Sequence, residues 1–223
     1  LVILLLLPML FYLSRRTDHS GQSIRMLCLG LGWALSTAAL FAGSAARTME
    51  PRLRLSGYRS YHLQAGRLVA LWTLGGVLAV PYFLLVRFDQ TGVRYGAIAL
   101  ILLLTVATAV PLGLALSAVL PRDLEGTLVL LLVFGLQTML DPSAPVARLL
   151  PFWSAREIGT YAIDLTDDGY LIRGVAHGVA VAVVLTVSVV VTARIRLRQR
   201  SHQHGSSFVD KRQRGPTVHR RRL

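Results

Sequence analysis

From Tyr95 to Leu120 the chain runs for 26 residues, YGAIALILLLTVATAVPLGLALSAVL, without one charged side chain. A helix needs only about 20 such residues to cross the hydrocarbon core of a bilayer. In lipid it also satisfies its own backbone hydrogen bonds, which an irregular segment cannot do. The run is not isolated. Comparable stretches cover 26–46, 67–86 and 172–193, with shorter ones at 1–13 and 126–140. Across the 223 residues, 53% are hydrophobic and the mean hydropathy is +0.55. Soluble domains stay at or below about half apolar. The expected fold class is therefore all-α: a polytopic membrane protein with six transmembrane helices. Pro111 is expected to kink the fourth.

Residues 1–13 are too short to span and read as the end of a helix that begins before Leu1. Residues 1–195 then form the transmembrane domain, and 196–223 a basic tail expected to be disordered. Between the fifth and sixth spans, DPSAPVARLLPFWSAREIGTYAIDLTDDGY is too polar and proline-rich to cross. Its PFWSAREIGTYAI portion is expected to fold as a short re-entrant or interfacial helix, with Phe152, Trp153 and Tyr161 at headgroup depth. Six spans put both termini on one side. That side carries sixteen of the 24 Lys+Arg and the other side eight, which places the tail in the cytosol. The margin comes from the tail.

The charges also exclude chemistries. The chain has one lysine, Lys211, flanked by Asp210 and Arg212. A phosphate-cradling loop needs Gly-x-x-x-x-Gly-Lys-[Ser/Thr], so this chain has no nucleotide site of that kind. The spans contain no Asp, Glu or Lys, which argues against a proton-coupled pump and against an intramembrane protease. No nucleophile elbow, His-Glu-x-x-His or paired carboxylates occur, so no catalytic residue and no enzyme activity is expected. Cys28 reads as a small buried hydrophobe. His177 reads as a packed or interfacial side chain, and His202 and His204 as part of a solvated tail. No metal or other cofactor is expected on this chain. The tail's charge fits topology and anionic lipid better than nucleic acid, because it lacks interleaved aromatics.

One polar stretch stands out. RLRLSGYRSYHLQAGR, residues 52–67, packs four arginines, two tyrosines and a histidine between two apolar spans. Small residues close the preceding span in LFAGSAARTME, and Gly66-Arg67 enters the next. The fifth span opens with PRDLEGT, and LLPFWSAREI precedes the sixth. This layout resembles the ABC type-2 permease family, the membrane half of many bacterial ABC exporters. The likeness covers about residues 1–195. It departs in lacking an amphipathic helix before the first span.

The resemblance implies a permease subunit in the bacterial plasma membrane, moving a hydrophobic or amphiphilic substrate out of the cytosol. ATP and Mg would sit on a separate ABC ATPase subunit, and a second permease, the same chain or a sister, would complete the path. The 50–66 segment would carry a short cytosolic coupling helix between the second and third spans. Its contacts to the ATPase would come from Glu50, Arg52, Arg54, Tyr58, Arg59, Tyr61 and His62. The second and fifth spans would border the path, which points to Ser36, Thr37, Phe134, Gln137, Thr138 and Met139. Polar groups at that depth serve equally well in hydrogen bonds between helices. The alternative for the whole chain is a non-transporting membrane anchor that recruits partners through its basic loop and tail.

Overall fold

The structure is a computed structural model. It describes the backbone of residues 2–15, 20–55, 60–141 and 144–213, and the side chains of 4–15, 21–46, 62–141 and 144–192. The elements are α1 (Val2–Leu13), α2 (Ser20–Leu55), α3 (Ser60–Asp89), α4 (Tyr95–Val119), α5 (Asp123–Met139), a 3₁₀ turn (Pro145–Leu149), α6 (Trp153–Ile163) and α7 (Asp168–Gln213). No strand occurs among the described residues.

Four segments are long and apolar enough to cross a membrane: Gly21–Ala46, His62–Asp89, Tyr95–Val119 and Asp168–Thr192. The chain is thus an all-helical, membrane-embedded protein. Two of the six expected spans stay short, α1 with 12 residues and α5 with 17. α4 continues through Pro111 as one helix.

Successive long helices run in opposite directions, and the contacts fix which ends meet. Tyr12, at the end of α1, donates its hydroxyl to Asp89, at the end of α3. Ser23, at the start of α2, donates to the carbonyl of Arg15 (2.8 Å). The backbone N–H of Arg94, just before α4, donates to the carbonyl of Ala162 in α6 (2.9 Å). These ends form one pole, with α6 inside it. Nearer the other pole Leu68, Val110, Leu114 and Val189 form a separate apolar cluster.

α4 is the central helix. Its Ile98, Ile101, Leu102, Ala109, Val110 and Leu114 are almost fully covered. Small residues let α2 come close to it. A Cβ at Gly113 would fall on the carbonyl of Ser36, and Ser36 Oγ donates to the carbonyl of Ala109 at 3.0 Å. Such close backbone approach is how helices gain packing energy where lipid offers no hydrophobic drive.

α1 is tied by a different device. Pro8 has no N–H, so the carbonyl of Leu4 loses its partner within the helix. Tyr82 of α3 replaces it, its hydroxyl lying 3.2 Å from the carbonyl of Leu4 and 2.7 Å from that of Leu5.

The expected short coupling helix falls partly outside the described residues, which leave out 56–59. α2 passes through Pro51 to Leu55, 36 residues in all or about 54 Å. α3 begins at Ser60. The described parts of the 50–66 segment therefore extend two long helices rather than forming a third. AARTMEPRLRL is rich in Ala, Arg, Leu, Met and Glu, good helix formers that carry the helix past its last apolar turn.

Candidate functional site

The distinctive feature of the α2/α4/α7 pole is α6. Its backbone can pack closely because α7 presents Gly174, where a Cβ would crowd the side chains of Ile158 and Glu157. Ile158 and Ala162 are fully buried. Three arginines from three directions hold the helix. Arg25 of α2 donates Nη2–H to Thr160 Oγ1 (2.9 Å). Arg94 donates to the carbonyls of Tyr161 (3.4 Å) and Thr166 (3.2 Å), and its guanidinium lies 4.1 Å from the centre of the Tyr161 ring. Arg173 of α7 pairs with Glu157 (Nε to Oε2, 3.3 Å). Glu157 is only 6% exposed, so this pairing answers a charge that would otherwise be costly to bury.

The proline-aromatic segment thus forms the expected short helix, but its aromatics are not spread over the surface. Phe152 and Trp153 are covered by protein. Phe152 packs on Phe134 (ring centres 4.9 Å apart), which in turn stacks on Trp33 (6.3 Å). Trp153 meets His177 edge-on at 5.1 Å, and His177 Nε2–H donates to the carbonyl of Arg148 (2.8 Å). His177 is a packed side chain. Cys28 is buried with a free thiol.

Between the first turns of α2, the end of α5, the 3₁₀ turn and α6 lies a cavity of about 760 Å³. Cavities of this size hold drug-sized ligands. Met26, Leu29, Leu150, Phe152 and Trp153 supply apolar wall, while Arg25, Gln137 and Arg156 supply polar groups. Asp141 and Asp164 also line it and are exposed.

Three of the six expected path residues, Gln137, Thr138 and Met139, line this cavity. Phe134 sits behind it as the middle ring of the aromatic stack. Ser36 is fully buried and spent on its bond to α4, away from the cavity. Thr37 is half-buried, and its hydroxyl has no partner among the described residues. Of the expected coupling residues, Tyr58 and Arg59 lie outside the described residues, as do the side chains of Glu50, Arg52, Arg54 and Tyr61. His62 is exposed on the first turn of α3. Sequence reasoning missed Arg25 and Arg156 as site residues. The only signal was an arginine abutting an apolar run and another inside an aromatic segment, both of which also read as topology charges. Among the described residues no cluster of His, Cys, Asp and Glu has metal-binding geometry.

No family model, no curated protein and no solved structure matches this chain.

Proposed function

We propose that the chain is the transmembrane permease subunit of an ATP-driven exporter of the ABC type-2 layout, with six membrane spans and a cytosolic tail. It would work in the bacterial plasma membrane with a second permease subunit. A separate ABC ATPase carrying ATP and Mg would dock on the 50–66 segment. The observation that carries this reading is the polarity of the bundle. The last turn of α2 and the first turn of α3, which flank the basic segment, lie at the end opposite α6, because successive long helices run antiparallel. A motor pulling on the α2–α3 ends would act through two rods that reach the α6 pole without a break. The sequence also lacks a phosphate-binding loop, so any ATP-driven work needs a partner.

The test is first whether the adjacent gene encodes a P-loop ATPase, and then co-purification of that ATPase with this chain, comparing the native pair with Tyr58→Ala, Arg59→Ala. Tyrosine and arginine are the side chains that most often dominate protein interfaces. The double variant is expected to lose complex formation and ATP-driven export together while keeping its helical content. Unchanged binding and export would refute docking at this segment. The anchor reading predicts a stable complex whose ATPase rate does not respond to any exported amphiphile.

A further inference from the structure

α5 stops short, and α6 makes up the difference. The 17 residues of α5 reach about 25 Å, less than the roughly 30 Å of a bilayer's hydrocarbon core. α6 then climbs to the pole, where the carbonyl of Ala162 accepts from Arg94. It runs antiparallel to the first turns of α7. Glu157 pairs with Arg173, a Cβ at Gly174 would crowd Ile158, a Cβ at Gly178 would lie 3.1 Å from Ser154, and Trp153 meets His177. These contacts fix the level of its lower end. His177 follows the exposed Asp168 by nine residues, about 13 Å down α7. His177 also donates to the carbonyl of Arg148 in the 3₁₀ turn. The 3₁₀ turn and residues 150–152 after it therefore lie at that depth, within the level of the Asp168–Thr192 span. Irregular backbone is stable at such a depth only where protein covers it or water reaches it.

The cavity adjoins this break. Leu150 and Phe152 of the break line it, and Leu29, nine residues past the start of α2 at the same pole, puts its floor at a similar depth. Gln22 and Asp164, both exposed, stand at its pole end. Asp141, also exposed, follows the last turn of α5 and so stands near the level of the break. Ionisable groups inside the span of a membrane face protein or a water-filled cavity, because hydrocarbon does not solvate them. At about 30 Å³ of liquid per water, the cavity's 760 Å³ has room for on the order of twenty waters.

We propose that this cavity is a water-filled vestibule, open at the α6 pole, that reaches the level of Leu29 and His177 and wets the break between α5 and α6. Its occupants are water and small polar solutes. Two arginines and two aspartates line it, so its wall favours neither anions nor cations. This deepens the export reading and rests on it only for its use, since the polar part of a cargo would stay hydrated down to the break. The vestibule itself needs neither the ATPase nor a second copy, so its test fails or succeeds independently of coupling.

The full chain is placed in phosphatidylcholine nanodiscs with one added cysteine, Met26→Cys or Thr138→Cys on the cavity wall. The control is Val179→Cys, two residues past His177 and therefore at the level of the break, on the outer face of α7 and 47% exposed. The native chain is the blank, its Cys28 being buried. Each is treated with a trimethylammonium-ethyl methanethiosulfonate, which attacks only the thiolate. Apolar surroundings raise a thiol's pKa, and a rise of two units cuts the thiolate about 100-fold. Met26→Cys and Thr138→Cys are expected to react at least about 100-fold faster than Val179→Cys. Either one reacting no faster than the control would overturn the proposal and leave lipid chains as the filling. Hydrogen exchange of the native chain needs no variant: amides of 147–152 should exchange well before those of 97–109 in α4, and equal protection would overturn the vestibule too. The same reagent, which does not cross membranes, is expected to label Thr138→Cys in intact cells. Labelling only in inverted vesicles would overturn the export orientation while supporting the vestibule.

Discussion

Gly113 offers a sharp test of how the bundle is held together. Replacing it with alanine adds one methyl group. In an open helix that change stabilises by about 1 kcal/mol, because alanine loses less backbone freedom. At Gly113 the new Cβ meets the backbone carbonyl of Ser36, which cannot rotate away as a side chain could. α2 and α4 must separate, at a cost of about 1–3 kcal/mol for overpacking. The Ser36–Ala109 hydrogen bond at the same crossing would stretch as well. Interhelical bonds in membranes average about 0.6 kcal/mol. The net expectation is a destabilisation of about 1–2.5 kcal/mol. Gly76→Ala is the control, since a Cβ there meets nothing within 4 Å. It should be neutral or stabilise by up to about 1 kcal/mol. Unfolding in mixed micelles by increasing SDS, followed by circular dichroism, measures both. Shifts of the same sign for the two variants would refute the α2–α4 contact as described.

Arg173→Ala should destabilise by about 1–3 kcal/mol, because it leaves the covered carboxylate of Glu157 without its cation. Glu157→Gln should cost less, and adding it to Arg173→Ala should restore part of the loss, read as a double-mutant cycle in the same SDS titration. Tyr82→Phe removes the donor that answers the carbonyls of Leu4 and Leu5, and should cost about 0.6 kcal/mol. Hydrogen exchange should show that loss concentrated in α1, and uniform loosening would contradict the tie at Pro8.

The long helices were legible because lipid leaves a chain few choices. The expected 95–120 run became Tyr95–Val119, and 172–193 became Asp168–Thr192. Their ends overran the apolar stretches at His62 and Gly21, since backbone hydrogen bonding continues through any good helix former. The proline-aromatic helix was also legible, one or two residues from where it starts. What it packs against was not. Glu157 reads in sequence as a surface charge, and only its meeting with Arg173, 16 residues away, makes it a covered one. Arg25 and Arg156 line one cavity although more than a hundred residues separate them, which no local pattern encodes. The 50–66 segment is described only in part, as the end of α2 and the start of α3. Its Gly, Pro and charges suit a turn, yet flanking Ala, Leu, Met and Arg carry helix on both sides.

The three guanidinium ties on α6 make that short helix a keystone. α2, the α3–α4 junction and α7 all lean on it, so none can swing outward at that pole without rupturing a link to the same eleven-residue piece. A see-saw in this bundle would have its fulcrum there and its far arms at the end of α2 and the start of α3. Because Arg25 belongs both to the keystone and to the cavity wall, whatever occupies the cavity would also set how stiff the fulcrum is.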